Sequence, residues 1–235
     1  MSQDHKEVKK IFLLHGWTYE LNKWTQFVNQ LKREGFAPVL LQIPGLTSPV
    51  AKEWTLHDYT EWLHSKVRKD SPVILVGHSF GGQVALRYAA KFPTYVKQLM
   101  LIDSSGIRPH TPLKELKRLL FFGMAKLGRP LKNNTSLRKL LYKATREKDY
   151  HDAPAVMRKT MELVLSDEIT EDLKDVSCPT TIIWGEKDSV TPIDLGEKIH
   201  KGIQNSTFHI VPDARHSPHF THTGKVVKII KETIL

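Results

Sequence analysis

The sequence predicts an α/β fold: a mostly parallel sheet of about six strands, covered by helices on both faces and interrupted once by a helical insertion. Three patterns carry that expectation. Short apolar runs alternate with segments of helical periodicity, the runs are apolar throughout rather than at every second residue, and the alternation lapses only between about residues 107 and 172. Strands buried on both faces belong to parallel sheets, because the crossovers that join parallel strands are helices lying over both sides.

The first run, IFLL at 11–14, precedes LNKWTQFVNQLKREG (21–35), whose apolar residues recur at helical spacing. PVLLQI (38–43) is the second strand and TLHDYTEWLHSKVRK (55–69) the second helix. VILVG (73–77) runs almost directly into the helical GGQVALRYAAKF (81–92), and QLMLID (98–103) is the fourth strand. After the insertion come TTIIWG (180–185), the helical PIDLGEKIHKGI (192–203), TFHIV (207–211) and the helical THTGKVVKIIKETIL (221–235). Within the insertion LKELKRLLFFGMAKLG, SLRKLLYKATREK and APAVMRKTMELVL read as helices. The chain thus divides into core residues 1–106, an insertion over 107–172 and core residues 173–235.

Composition narrows the function classes. At 235 residues, 40% hydrophobic and 26% charged, the chain suits one folded domain carrying an insertion and does not have a disordered composition. Cys178 is the only cysteine, which excludes an internal disulfide or a thiolate metal cluster and favours a cytoplasmic protein. The apolar run IFLL is much shorter than a secretory core of about 7–15 residues, and no stretch approaches the roughly 20 apolar residues of a membrane span. We therefore expect a chain without a targeting or transmembrane segment. The net charge is +10, and residues 108–149 hold 12 Lys and Arg against 3 Asp and Glu, so the basic character belongs to one segment. A nucleic-acid-binding role would rest on this charge alone, with no recognised motif beside it, and is not expected.

The stretch VILVGHSFGGQVAL (73–86) sets Ser79 between Gly77 and Gly81 where a strand ends and a helix begins. So tight a strand-to-helix turn lifts the side chain at its tip above the sheet, and the residues two before and two after it have no room for side chains. A serine presented in this way is a nucleophile candidate, and the positive end of the following helix favours an anion forming beside it. A serine hydroxyl needs a base to take its proton, and the base needs a carboxylate to orient it. TTIIWGEKDSVTP places Asp188 just beyond a strand, and TFHIVPDARHSPHF places His216 just beyond the last one. Asp103, which also follows a strand, is a rival acid. His209 reads as packed within its strand, Asp213 as a turn former and Cys178 as a core residue. His219 and His222 stand at spacings of three from His216 without a carboxylate or thiol beside them, so no metal site is expected. For the oxyanion, the backbone N–H of Phe80 and that of Trp17, in the loop LLHGWTYE, are the candidate donors.

HGW (15–17), GHSFGG (77–82), WGEKDSVTP (184–192) and ARHSPH (214–219) together resemble the α/β-hydrolase superfamily, in its branch of small single-domain esterases and carbon–carbon-bond hydrolases. The resemblance implies Ser79 as nucleophile, Asp188 as acid, His216 as base, the Trp17 and Phe80 N–H groups as oxyanion hole, and residues 107–172 as a helical lid. It further implies a serine hydrolase cleaving a carboxylic ester through an acyl-enzyme, without cofactor or metal. The same residues would serve a carbon–carbon-bond hydrolase, a lactonase or a thioesterase, and a hydrolase-like receptor with little turnover is a separate alternative. Pocket candidates are His15, Trp17, His78, Phe121 and Met124. Two departures stand out: the polar N-terminal residues leave no room for two further leading strands, and Arg215 stands where relatives often have glycine. Leu113, Leu116, Leu119, Leu120 and Met124 alternate with Lys114, Lys117, Arg118 and Lys126 at helical spacing. Such a basic amphipathic helix fits either a roof over the site or a surface that recruits an anionic carrier or lipid.

Overall fold

The computed structural model describes residues 9–107 and 153–234. Six strands, β1 (Lys9–Leu14), β2 (Phe36–Leu40), β3 (Val73–His78), β4 (Val96–Ile102), β5 (Thr180–Gly185) and β6 (Ser206–Val211), form one sheet in the order β2-β1-β3-β4-β5-β6. Every pairing is parallel. The chain leaves β1 toward β2 on one flank and returns to β3 on the other, so the loops after β1 and β3 diverge. In a parallel sheet the crevice at such a reversal, above the carboxyl ends of the strands, is where a ligand site forms.

The side-chain alternation of the strands divides the core in two. Ile11, Leu13, Ile74, Val76, Met100, Ile102 and Ile183 face one side, where they meet Trp24, Phe27 and Leu31 and the buried face of the C-terminal helix. Phe12, Leu14, Leu75, Leu99, Leu101, Ile182 and Trp184 face the other. Accordingly α1 (Thr25–Arg33) lies on the first face and α2 (Leu56–Val67) and α3 (Phe80–Lys91) on the second. The apolar runs of the sequence are continuous because both of their faces are covered. α2 begins where Thr55 and Asp58 form a reciprocal capping box.

Later in the chain come α4 (Ala155–Ser166), α5 (Ile193–Gly202), the single turn α6 (Pro218–Thr221) and α7 (Thr223–Thr233). α4 corresponds to the helix expected from APAVMRKTMELVL, and its Met157 and Val164 enter the core. The side chain of Gln83 donates to the carbonyls of Val164 and Asp167 at 3.3 and 3.0 Å. Arg87 reaches Asp167 at 2.9 Å and also pairs with Asp172. The end of the insertion is therefore clasped to α3. The two other helices expected there, the pocket candidates Phe121 and Met124 and the basic residues 108–149 lie outside the described residues. β2 starts two residues before the expected run and ends at Leu40, because residues 43–48 close into a turn in which Ile43 O accepts from the N–H groups of Leu46, Thr47 and Ser48. No helix among the described residues is long and apolar enough to cross a membrane.

Candidate active site

Ser79 occupies the turn between β3 and α3 with φ at +52°, a left-handed conformation unusual for a residue with a side chain. Its backbone is held from every side: the N–H donates to Ile102 O at 3.0 Å, and the carbonyl accepts from Gly82, Gln83 and Ser105 at 2.9, 3.1 and 3.1 Å. Such strain persists only where the surroundings over-determine it. The glycines supply the space. A Cβ on Gly77 would lie 2.6 Å from Gly81 O, and one on Gly81 would lie 2.4 Å from Leu14 O. Gly16, in the loop after β1, would meet the Ser79 Cβ at 3.1 Å if it carried a side chain, so this loop runs directly against the elbow.

The chain beyond β6 brings His216 to Ser79, and the loop after β5 brings Asp188 to His216. His216 Nε2 is 3.0 Å from Ser79 Oγ, and His216 Nδ1 is 2.8 Å from Asp188 Oδ2. All three residues are buried. Burial works to raise the Asp188 pKa. The hydrogen bond and charge of His216, the Thr191 hydroxyl and the Val190 N–H outweigh it and hold the carboxyl below its ordinary range. An ionised Asp188 takes the Nδ1–H of His216, which leaves Nε2 to accept the proton of Ser79. Gly185 lets the two loops close on each other, since a Cβ there would lie 2.4 Å from Arg215 O. Arg215 meets this approach with its backbone carbonyl, and the residue itself is exposed.

Asp103, the rival acid, is also buried and has φ at +44°. Its Oδ1 accepts from the Gly185 N–H at 2.8 Å, and its Oδ2 has no hydrogen-bond partner among the described residues. Burial, less the effect of that hydrogen bond and with the charge of Asp188 added, raises its pKa to about 8. At neutral pH the two carboxyls thus differ in charge: Asp188 is ionised against His216, and Asp103 is mostly protonated.

The remaining candidates fall into place around this array. His78 Nε2 donates to the carbonyl of His216 at 2.7 Å and so ties the elbow to the histidine loop. His15 Nδ1 donates to Gly16 O at 2.7 Å, while its Nε2 faces the Thr47 hydroxyl at 2.9 Å. Burial depresses the His15 pKa to about 4, so a neutral imidazole braces the loop that carries Trp17. The Trp17 ring packs edge-on against Phe80, centroids 5.4 Å apart, and its indole N–H has no acceptor among the described residues. Among the hydrogen bonds of the described residues neither backbone N–H, of Trp17 or of Phe80, has an acceptor. Asp213 is exposed, has φ at +62° and pairs with Lys187, as befits a turn. Cys178 is buried and unpaired. His219 is completely buried among Trp24, Phe27, His78 and Phe220. Donor atoms of His78, Asp103 and His216 lie within 4.8 Å of one another, a spacing that could admit a metal ion. Hydrogen bonds already engage His78 Nε2, Asp103 Oδ1 and both nitrogens of His216.

Sequence reasoning did not single out Thr191, whose hydroxyl lies 2.7 Å from Asp188 Oδ2 and 3.2 Å from His216 Nδ1. A hydroxyl three residues beyond a turn-forming Asp is a local signal, because Asp side chains commonly accept from the N–H groups that follow them.

An elbow serine over a parallel sheet, linked through histidine to a buried carboxylate, has the arrangement found in alpha/beta hydrolases. The chain belongs to the alpha/beta hydrolase family, whose profile matches residues 11–229. Among curated relatives, a pimeloyl-(acyl-carrier protein) methyl ester esterase of Wigglesworthia glossinidia brevipalpis is 26% identical, the match covering 94% of this chain and 92% of that one. Lipase 3 of a Moraxella species is 24% identical over 98% of this chain and 76% of its own. Among solved structures, a thermophilic esterase of Thermogutta terrifontis superposes with a TM-score of 0.67 at 23% identity, covering 95% of this chain and 88% of that one. These similarities agree with a hydrolase and with the fold expected from the sequence.

Proposed function

We propose that this protein is a serine esterase that cleaves a carboxylic ester through an acyl-enzyme. The observation that carries the reading is the unbroken line of contacts from Ser79 through His216 to Asp188, at 3.0 and 2.8 Å. In this reading Ser79 Oγ attacks the ester carbonyl while His216 Nε2 takes its proton. The backbone N–H groups of Trp17 and Phe80 receive the oxyanion, and Asp188 stabilises the imidazolium. His216 then returns the proton to the departing alcohol, and a water molecule activated by the same base releases the acid and restores Ser79. No cofactor enters this cycle. The lone, buried Cys178 fits a cytoplasmic placement.

The test combines labelling with turnover. A fluorophosphonate should label the native protein and leave Ser79→Ala unlabelled, and p-nitrophenyl esters should be hydrolysed faster than lactones, thioesters or a vinylogous diketone. Labelling without turnover of any of these would favour the receptor alternative. Absence of labelling would overturn the nucleophile assignment.

Within this reading the acyl group is presented by an acidic carrier protein, and residues 107–172 act as the lid that receives it. Two observations favour this. Relatives are esterases named for an acyl-carrier-protein substrate, and residues 108–149 hold 12 basic against 3 acidic side chains. Attraction between exposed charges is screened beyond about 8 Å at physiological ionic strength. Recruitment of this kind therefore shows itself as a salt dependence confined to the carrier-bound ester.

A further inference from the structure

We propose that Thr191 is the positioning residue that aims the Asp188 carboxylate at His216, and that Asp103 braces the start of the same loop at Gly185. The inference rests on reading Ser79, His216 and Asp188 as the catalytic array. Asp188 Oδ1 accepts from the N–H groups of Val190 and Thr191 at 2.7 and 3.1 Å. These two bonds fix one oxygen but leave the carboxylate free to rock about the axis they define. The second oxygen faces His216 Nδ1 at 2.8 Å and the Thr191 hydroxyl at 2.7 Å.

The hydroxyl has one proton and two acceptors in reach, Asp188 Oδ2 at 2.7 Å and the Asp103 carbonyl at 3.3 Å. Distance and charge both send that proton to the carboxylate. The lone pairs of Thr191 Oγ1 are then left facing His216 Nδ1 at 3.2 Å. The Nδ1–H therefore lies in front of two oxygens, which disfavours the other tautomer and the flipped ring. Thr191 is itself anchored, because its carbonyl accepts from the buried indole N–H of Trp184 at 2.8 Å.

Asp103 braces the same loop from the neighbouring strand. Its N–H donates to Ile183 O at 3.0 Å, its Oδ1 accepts from Gly185 N–H at 2.8 Å, and its carbonyl faces Thr191. One residue with a left-handed backbone thus spans β4, the end of β5 and the acid loop. A buried carboxyl in a left-handed conformation is costly, and its Oδ2, unpartnered among the described residues, leaves the bond to Gly185 as what the side chain provides. Its high pKa fits this assignment, since an uncharged strut does not compete with Asp188 for the positive charge of His216.

The experiment is a double-mutant cycle read by the rate of fluorophosphonate labelling and by kcat and KM on a p-nitrophenyl ester. Thr191→Val keeps the shape and removes the hydroxyl. It should lower kcat and the labelling rate about 10- to 100-fold with KM within about twofold, and Thr191→Ser should recover most of the loss. In an Asp188→Asn background Thr191→Val should cost less than about twofold more, because the hydroxyl acts through that carboxylate. Asp103→Asn, which keeps the acceptor for Gly185, should lower kcat less than about fivefold. Native kcat in Thr191→Val, or a loss equally large in the Asp188→Asn background, would overturn the proposal while leaving the catalytic array intact. Full activity in Asp188→Asn alone would instead overturn the array. A loss in Asp103→Asn as large as that in Asp188→Asn would make Asp103 the acid.

Discussion

At the elbow, residues 77–82, Ser79 is held by exclusion: glycines stand wherever a Cβ would meet backbone at 2.4–2.6 Å, and the turn has no other way to close. At the acid loop, residues 185–191, Asp188 is held by attraction, with four hydrogen bonds converging on its two oxygens. The two regions fail differently. Steric exclusion tolerates no added atom but is indifferent to charge. A converging set of donors tolerates changes of shape but depends on each proton being in place, and on the protonation of a second buried carboxyl beside it.

The largest effect should come from removing the groups that both regions exist to hold. On the proposed reading of Ser79 as nucleophile and His216 as base, Ser79→Ala and His216→Ala should each reduce ester turnover by about 10⁴- to 10⁶-fold, with the double variant little worse, because such a pair acts as one unit. Asp188→Asn should follow at about 10⁴-fold. Retention of a tenth of the activity in either of the first two variants would remove the array from consideration.

Next, Gly81→Ala sets a methyl group against the Leu14 carbonyl at 2.4 Å, where neither backbone can yield. We expect it to lower the unfolding free energy by about 3 kcal/mol or more in denaturant titration. Thr191→Val, at the acid loop, should leave that midpoint nearly unchanged while slowing turnover. If the glycine variant were as stable as the native chain, exclusion would not be what shapes the elbow.

The pH dependence of stability separates the regions further. Asp103 keeps its proton in the folded protein to about pH 8, whereas the unfolded chain releases it near 3.8. The folded state therefore binds more protons across that interval, and Asp103 makes stability fall as pH rises from about 4 to 8. Asp103→Asn should abolish this fall, so that its stability relative to the native protein grows with pH by an amount on the order of a few kcal/mol. The buried imidazoles of His15 and His219, depressed to about 4 and 3 by burial, act in the opposite sense. Below 6.5 the unfolded chain binds protons that the folded one refuses, so stability should be lost as pH falls from there toward 3. Equilibrium unfolding at a series of pH values reads both slopes. A native stability indistinguishable from that of Asp103→Asn at every pH would show the carboxyl to be ordinary.

The smallest effect lies outside both regions. Changing Lys114, Lys117 and Arg118 to Gln should leave kcat/KM on a short neutral ester unchanged and slow a carrier-bound ester several-fold at low salt. The same triple variant should lose the salt dependence. Equal salt responses for neutral and carrier-bound substrates would leave the basic segment without a role in recruitment.

How legible each region was follows from how it is held. Exclusion is written locally: Gly77, Ser79 and Gly81 stand two apart, and the strand and helix on either side are continuous with them in sequence. The six strands were legible for a related reason, since residues buried on both faces form unbroken apolar runs such as VILVG and TTIIWG whatever lies next to them. Asp188 and His216 were readable as polar residues just beyond strands, in the order that the elbow requires. The resemblance of WGEKDSVTP put Asp188 ahead of Asp103, but both follow strands, and the residues around them do not state what each carboxyl touches. Tertiary structure decides the geometry by turning Asp103 toward the Gly185 N–H and Asp188 toward His216, and burial then gives the two carboxyls different charges. Thr191 is a further example: beside its local partner Asp188, its hydroxyl faces Asp103, just beyond β4, and His216, in the loop after β6, 88 and 25 residues away in the chain. The sequence by itself determined the layers, the strand count and the presented serine, because periodicity and the absence of a side chain are properties of neighbouring residues. Only the tertiary structure decided which carboxyl is charged and what holds it, because solvation and hydrogen bonding depend on atoms that the chain brings together from distant segments.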